Sequence, residues 1–80
     1  MKLWNLLGSI LPASKDIAIV NRRGDTLLQG CVWDLFIRNR AERYGDRDVL
    51  AITEEKWKDI YYPASTMIIV LDEEEMSEWL

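Results

Sequence analysis

Four consecutive carboxylates, Asp72-Glu73-Glu74-Glu75, with Glu78 just beyond, form the densest block of charge in this 80-residue chain. Such a run offers two kinds of chemistry: weak attraction of a divalent cation, or complementarity to a basic surface. A calcium site needs carboxylates spaced around a loop that also supplies carbonyl oxygens, and a contiguous block lacks that spacing. Recognition of a basic protein partner is therefore the working reading, with a solubilising tail as its plain alternative. Glu54-Glu55 and Asp59 make a second acidic group but define no cleft.

The nucleophiles and bases of catalysis are scarce. The chain has no histidine, which removes the usual general base, the commonest metal ligand and any Ser-His or Cys-His pair. Cys31 is the only cysteine, so no internal disulfide forms, and a reducing cytoplasmic setting is expected. At the entrance to a helix it reads as a small packing residue. There is no Gly-rich phosphate loop, zinc spacing or EF-hand pattern. The expectation is a non-enzymatic protein with no metal and no cofactor.

Two further sets of side chains suit contacts. Trp57, Tyr61 and Tyr62 lie in a polar connection, and large amphipathic rings are favoured at interfaces. Arg38, Arg40, Arg43 and Arg47, with Arg22 and Arg23 nearer the start, offer an alternative anion-binding surface for nucleic acid or a nucleotide. Charge distribution favours the acidic surface. Residues 1–50 carry eight Lys/Arg and six Asp/Glu, hence +2, whereas residues 51–80 carry two and eight, hence -6. An acidic C-terminal third repels a phosphate backbone, so direct nucleic-acid binding takes second place to a protein partner with a basic surface. Self-association is a third reading.

The elements that must position these groups fit one small domain, residues 1–80, with an acidic tail over 72–80. Leu3, Leu7, Ile10 and Leu11 against Lys2, Asn5 and Ser9 predict an amphipathic helix near 2–11, stopped by Pro12 rather than a secretory leader. No apolar run is long enough to span a membrane. Val32, Leu35, Phe36 and Asn39-Arg40 at helical spacing predict a second helix over 33–44. Asp34 is its expected N-cap and Gly45 its left-handed terminus.

Short β-branched runs predict strands near 16–21, 26–30, 48–53 and 66–71. The first two form a hairpin around Asn21-Arg22-Arg23-Gly24-Asp25, with Gly24 free to take positive φ. Leu3-Trp4-Asn5-Leu6-Leu7 echoes Val32-Trp33-Asp34-Leu35-Phe36, and Asp16–Val20 echoes Asp48–Ile52. The implied order is α-β-β-α-β-β: an α+β domain of about four antiparallel strands with helices on one face. Phe36 and Ile69 are expected in the core. The other face would carry Ala18, Val20, Leu27 or Leu50, depending on register.

The opening helix with Leu6-Leu7, the turn Asn21-Arg22-Arg23-Gly24, Gly30, Asp34-Leu35, Val49-Leu50-Ala51-Ile52 and Ile68-Ile69-Val70 together carry a resemblance. Over most of its length the chain resembles the small single-domain proteins of phages and integrated mobile elements of low-GC Gram-positive bacteria. The connection Glu54–Ser65 and the acidic tail depart from that pattern, so no binding residue is carried over. Some small acidic phage proteins inhibit host defences, including CRISPR nucleases. The resemblance thus implies an inhibitor that occupies a basic groove of a host nucleic-acid-handling protein.

Overall fold

The computed structural model describes residues 1–56 and 65–74. Helix α1 (Leu3–Leu7) is followed by strands β1 (Asp16–Val20) and β2 (Thr26–Cys31). A single π-helical turn (Trp33–Ile37) and a 3-10 turn (Glu42–Tyr44) lead into β3 (Val49–Lys56) and β4 (Ser65–Leu71). The strands form one sheet in the order β2-β1-β4-β3. All four expected strands are present, and the α+β architecture holds.

The sheet is mixed rather than antiparallel. β1 pairs antiparallel with β2, and β3 with β4, but β1 and β4 run parallel at the centre. Their registers align Asp16 with Thr66, Ala18 with Ile68 and Val20 with Val70. The physical reason is that β1 and β4 are the two strands apolar on both faces, and central strands are the ones covered on both sides. The parallel pairing also brings the C-terminal ends of β1 and β4 together.

The β1–β2 turn forms as its residues dictate. Gly24 has φ 87°, a left-handed conformation that costs a glycine nothing. Asn21 is fully buried, and its side-chain carbonyl accepts the amides of Arg23 and Asp25, both at 2.9 Å. A buried amide satisfied in this way fixes the turn locally.

The expected helix over 33–44 is the main correction. Only the separate turns Trp33–Ile37 and Glu42–Tyr44 are helical, the first with the Arg38 amide reaching the Trp33 carbonyl at 3.0 Å. The chain then reverses at Asn39, whose φ is 58°. The amides of Arg40 and Ala41 fold back to the carbonyls of Asp34 and Leu35 at 3.3 and 3.0 Å. Asparagine is the commonest non-glycine residue in this conformation, because its short amide can bond locally. Asn39 therefore takes the terminating role expected of Gly45, which stays in the right-handed region at φ -57°. The N-cap position falls on Val32, and Asp34 makes no capping hydrogen bond.

The helical layer covers one face of the sheet. Leu3, Leu6, Leu7 and Ile10 meet Val32, Leu35, Ala41 and Tyr44 over a floor of Ile17, Ile19, Leu27, Ile69 and Leu71. Ile69 is fully buried as expected, and Leu27 faces this core rather than the opposite face. Phe36 is half-buried: its ring stands edge-on to Trp4, with centroids 4.5 Å apart, while Leu35 takes the fully buried place. The N-terminal helix is shorter than the expected 2–11, ending at Leu7. It is stitched to the start of β3 by Leu3 N–H to the Arg47 carbonyl at 2.9 Å and Val49 N–H to the Met1 carbonyl at 2.8 Å.

Candidate partner-binding surface

The first residues of the acidic run are not a free tail. Because β1 and β4 end side by side, Asp72 emerges next to the β1–β2 turn. The Arg22 guanidinium bonds the Asp72 carboxylate and lies 3.4 Å from that of Glu74, while the Arg22 amide donates to the Glu73 carbonyl at 3.0 Å. The Glu73 carboxylate turns inward, is 8% exposed, and meets Arg47 Nε at 2.9 Å. Three of the carboxylates proposed for partner contact are thus held by arginines of this chain. Glu75, Glu78, Trp57, Tyr61 and Tyr62 lie outside the described residues.

The alternative arginine surface is dispersed. Arg47 belongs to the Glu73 pair. Arg38 and Arg40 approach the two oxygens of Asp34 at 4.0 and 3.9 Å, and Arg43 lies over the Tyr44 ring at 5.7 Å from its centroid. The break at Asn39 prevents these side chains from lining one helical face.

A different set is brought together on the sheet face opposite the core. Strand register gives it three rows across β2-β1-β4-β3. Cys31, Asp16, Thr66 and Glu55 form the first; Gln29, Ala18, Ile68 and Thr53 the second; Thr26, Val20, Val70 and Ala51 the third. The floor is a concavity of about 490 Å³ lined by Ala18, Val20, Thr66, Ile68 and Val70, with Gln29 and Glu55 at its sides; Ala18, Val20 and Thr66 are buried, Ile68 and Val70 partly buried, and Gln29 and Glu55 exposed. The Thr66 hydroxyl donates to the Asp16 carboxylate at 2.5 Å. Asp16 and Glu55 thus flank Thr66 from the two neighbouring strands, and one end of an apolar floor is acidic. No lysine or arginine lines this concavity among the described residues.

A second hollow, of about 290 Å³, is lined by Trp4, Asn39, Glu42, Gly45 and Asp46. It too carries carboxylates and no cation among the described residues.

One polar cluster invites a catalytic interpretation. Lys15 Nζ lies 2.5 Å from Ser65 Oγ, the pairing of a Ser-Lys nucleophile. The same ammonium is 2.9 Å from the Glu54 carboxylate, to which the Ser65 hydroxyl also donates at 3.5 Å. An ammonium donating to both groups has no lone pair with which to take the serine proton. The triangle ties the loop before β1 to the β3–β4 pair. Among the described residues, no three Asp, Glu or Cys side chains converge as metal ligands, and no helix is long and apolar enough to cross a membrane.

Sequence reasoning anticipated Ala18 and Val20 on the sheet face opposite the helices but missed Asp16, Glu55, Thr66 and Ile68. Their alternation along each strand was legible; the parallel register that places Asp16 beside Thr66 was not. Comparisons with protein-family models, curated proteins and solved structures found no match to this chain.

Proposed function

We propose that this chain is a non-catalytic interaction protein that binds a basic surface of another protein through the sheet face opposite its helices. The observation that supports this reading is the pairing of an apolar floor, Ala18, Val20, Ile68 and Val70, with an acidic end formed by Asp16 and Glu55. Apolar contact supplies affinity, and opposite charge supplies encounter rate and discrimination against acidic partners. The reading keeps the basic partner expected from the sequence and moves the contact from the tail to the sheet.

The resemblance to phage and mobile-element proteins suggests the kind of partner. A nucleic-acid-handling host protein, such as a defence nuclease, presents a basic groove that an acidic face fills in place of nucleic acid. The proposed setting is the host cytoplasm.

The test begins with capture of partners from host lysate by the tagged chain, followed by titration of the purified partner. Glu55→Lys and Gln29→Lys alter exposed positions on the face and spare the core. Each should weaken binding at least tenfold with the melting temperature unchanged. If Arg38→Ala, Arg40→Ala and Arg43→Ala instead abolish binding to DNA, RNA or a nucleotide while the face variants do nothing, an anion-binding module replaces this proposal.

A further inference from the structure

Strand β3 is unlike the other three. Every residue from Leu50 to Glu55 is exposed, including Leu50 at 53% and Ile52 at 48%. Ile52 stands opposite Ile69 and so lies on the helix side of the sheet, yet the helical layer stops short of it. β3 is also an edge: its inner side pairs with β4, and among the described residues the only backbone bond on its outer side is that of Val49 to Met1. Exposed edges of this kind are templates for a further strand.

We infer that this edge binds a second copy of the chain, joining two four-stranded sheets into one of eight strands. The sequence of β3 is self-complementary in one antiparallel register. With Ile52 on a twofold axis normal to the sheet, Ile52 faces Ile52 and Ala51 faces Thr53, while Leu50 is the extra residue of the bulge between Val49 and Ala51 and stands outside the regular ladder. A register shifted by two residues toward the C-terminal side puts Ile52 opposite Glu54. A shift of four puts Glu54 opposite Glu54, and like charges directly opposed are destabilising.

Glu54, which flanks this short ladder, is already paired with Lys15. The bulge at Leu50 and the Met1 carbonyl on Val49 end the regular edge, which limits the ladder to residues 51–53 of each copy. An interface this small belongs with weak, concentration-dependent association. A twofold normal to the sheet also keeps both non-helical faces on the same side, so the dimer presents two copies of the proposed partner surface together.

Sedimentation equilibrium across micromolar to millimolar concentrations tests the association, and cysteine scanning tests its register. In a Cys31→Ser background, Ile52→Cys should form an intermolecular disulfide on mild oxidation, because position 52 of one copy stands directly opposite position 52 of the other, within a small strand adjustment of disulfide distance. Leu50→Cys and Glu55→Cys should crosslink at least tenfold more slowly. Ile52→Lys should shift the wild-type monomer–dimer equilibrium to monomer without changing the melting temperature of the dilute protein. A chain that is monomeric at every concentration overturns the inference. So does a dimer insensitive to Ile52→Lys, or equal crosslinking at positions 50, 52 and 55.

Discussion

Arg47 holds the Glu73 carboxylate at 2.9 Å, with the guanidinium half exposed and the carboxylate almost wholly buried. The asymmetry decides what the pair contributes. Removing the exposed partner strips the neighbouring charge from a carboxylate that water cannot readily reach. Arg47→Ala should therefore cost about 1–3 kcal/mol, more than an exposed ion pair is worth. Glu73→Gln removes the buried charge and should cost less than Glu73→Lys, which places an ammonium beside Arg47. Urea denaturation of the three variants checks the order. Equal stability of Arg47→Ala and wild type would show the pair to be incidental.

Glu74, by contrast, is exposed and meets Arg22 at 3.4 Å only. Glu74→Lys should change stability by no more than about 0.5 kcal/mol. Simultaneous reversal of Glu73, Glu74 and Glu75 therefore mixes a structural residue with a surface one. Single substitutions, each followed by a melting curve, separate folding from partner binding.

Leu35 and Phe36 exchange the weights that helical spacing alone assigns them. Leu35 is fully buried and should cost about 2–5 kcal/mol as Leu35→Ala. Phe36 keeps its Trp4 contact but is only partly buried, so Phe36→Ala should cost less, about 1–3 kcal/mol. Thermal melts of the two variants at matched concentration rank them. A larger loss for Phe36→Ala would contradict the π-helical turn.

The same region shows where the sequence was legible and where it was not. Strands β1 to β4 stand out because short β-branched runs between turn residues have few other uses. Helical spacing around residues 32–40 was real, but it was satisfied by one wide turn. Asn39 carried the signal for the reversal and was counted as part of the apolar face. The parallel pairing of β1 with β4 joins residues 50 positions apart, as in Asp16 with Thr66. No local pattern states strand direction, although two strands apolar on both faces hinted at a shared central position. The Arg22 contacts to Asp72 and Glu74 follow from that pairing, which is why the acidic run looked free until β1 and β4 were known to end together.

Backbone substitutions test the reversal directly. Asn39→Gly should be neutral or stabilising, since φ 58° suits glycine, whereas Asn39→Val should cost about 1–2 kcal/mol. Gly24→Ala at φ 87° should be destabilising by about 1 kcal/mol. Gly45→Ala is allowed by its φ of -57°, and its added Cβ meets Trp4 Cε3 at 3.3 Å, a contact that a small ring shift relieves. Gly45→Ala should thus lie near wild type in chemical denaturation. A Gly45→Ala penalty exceeding that of Gly24→Ala would return the helix terminus to Gly45.

The proposed partner surface makes a kinetic prediction that distinguishes its two components. Asp16→Asn keeps an oxygen to accept the Thr66 hydroxyl while removing charge, and Glu55→Gln removes charge from an exposed site. Charge acts mainly on encounter, so the double variant should lower kon for the basic partner several-fold and flatten its dependence on salt. Charge interactions are screened beyond about 8–10 Å at moderate ionic strength and over shorter distances as salt is added, so the two proteins should converge as salt rises. Ile68→Ala acts on the apolar floor and should raise koff with little effect on kon. Stopped-flow association and dissociation at several salt concentrations measure both constants. If the carboxylate substitutions change only koff, or leave both constants unaltered, the acidic end is not where the partner is steered, and the contact lies elsewhere on the chain.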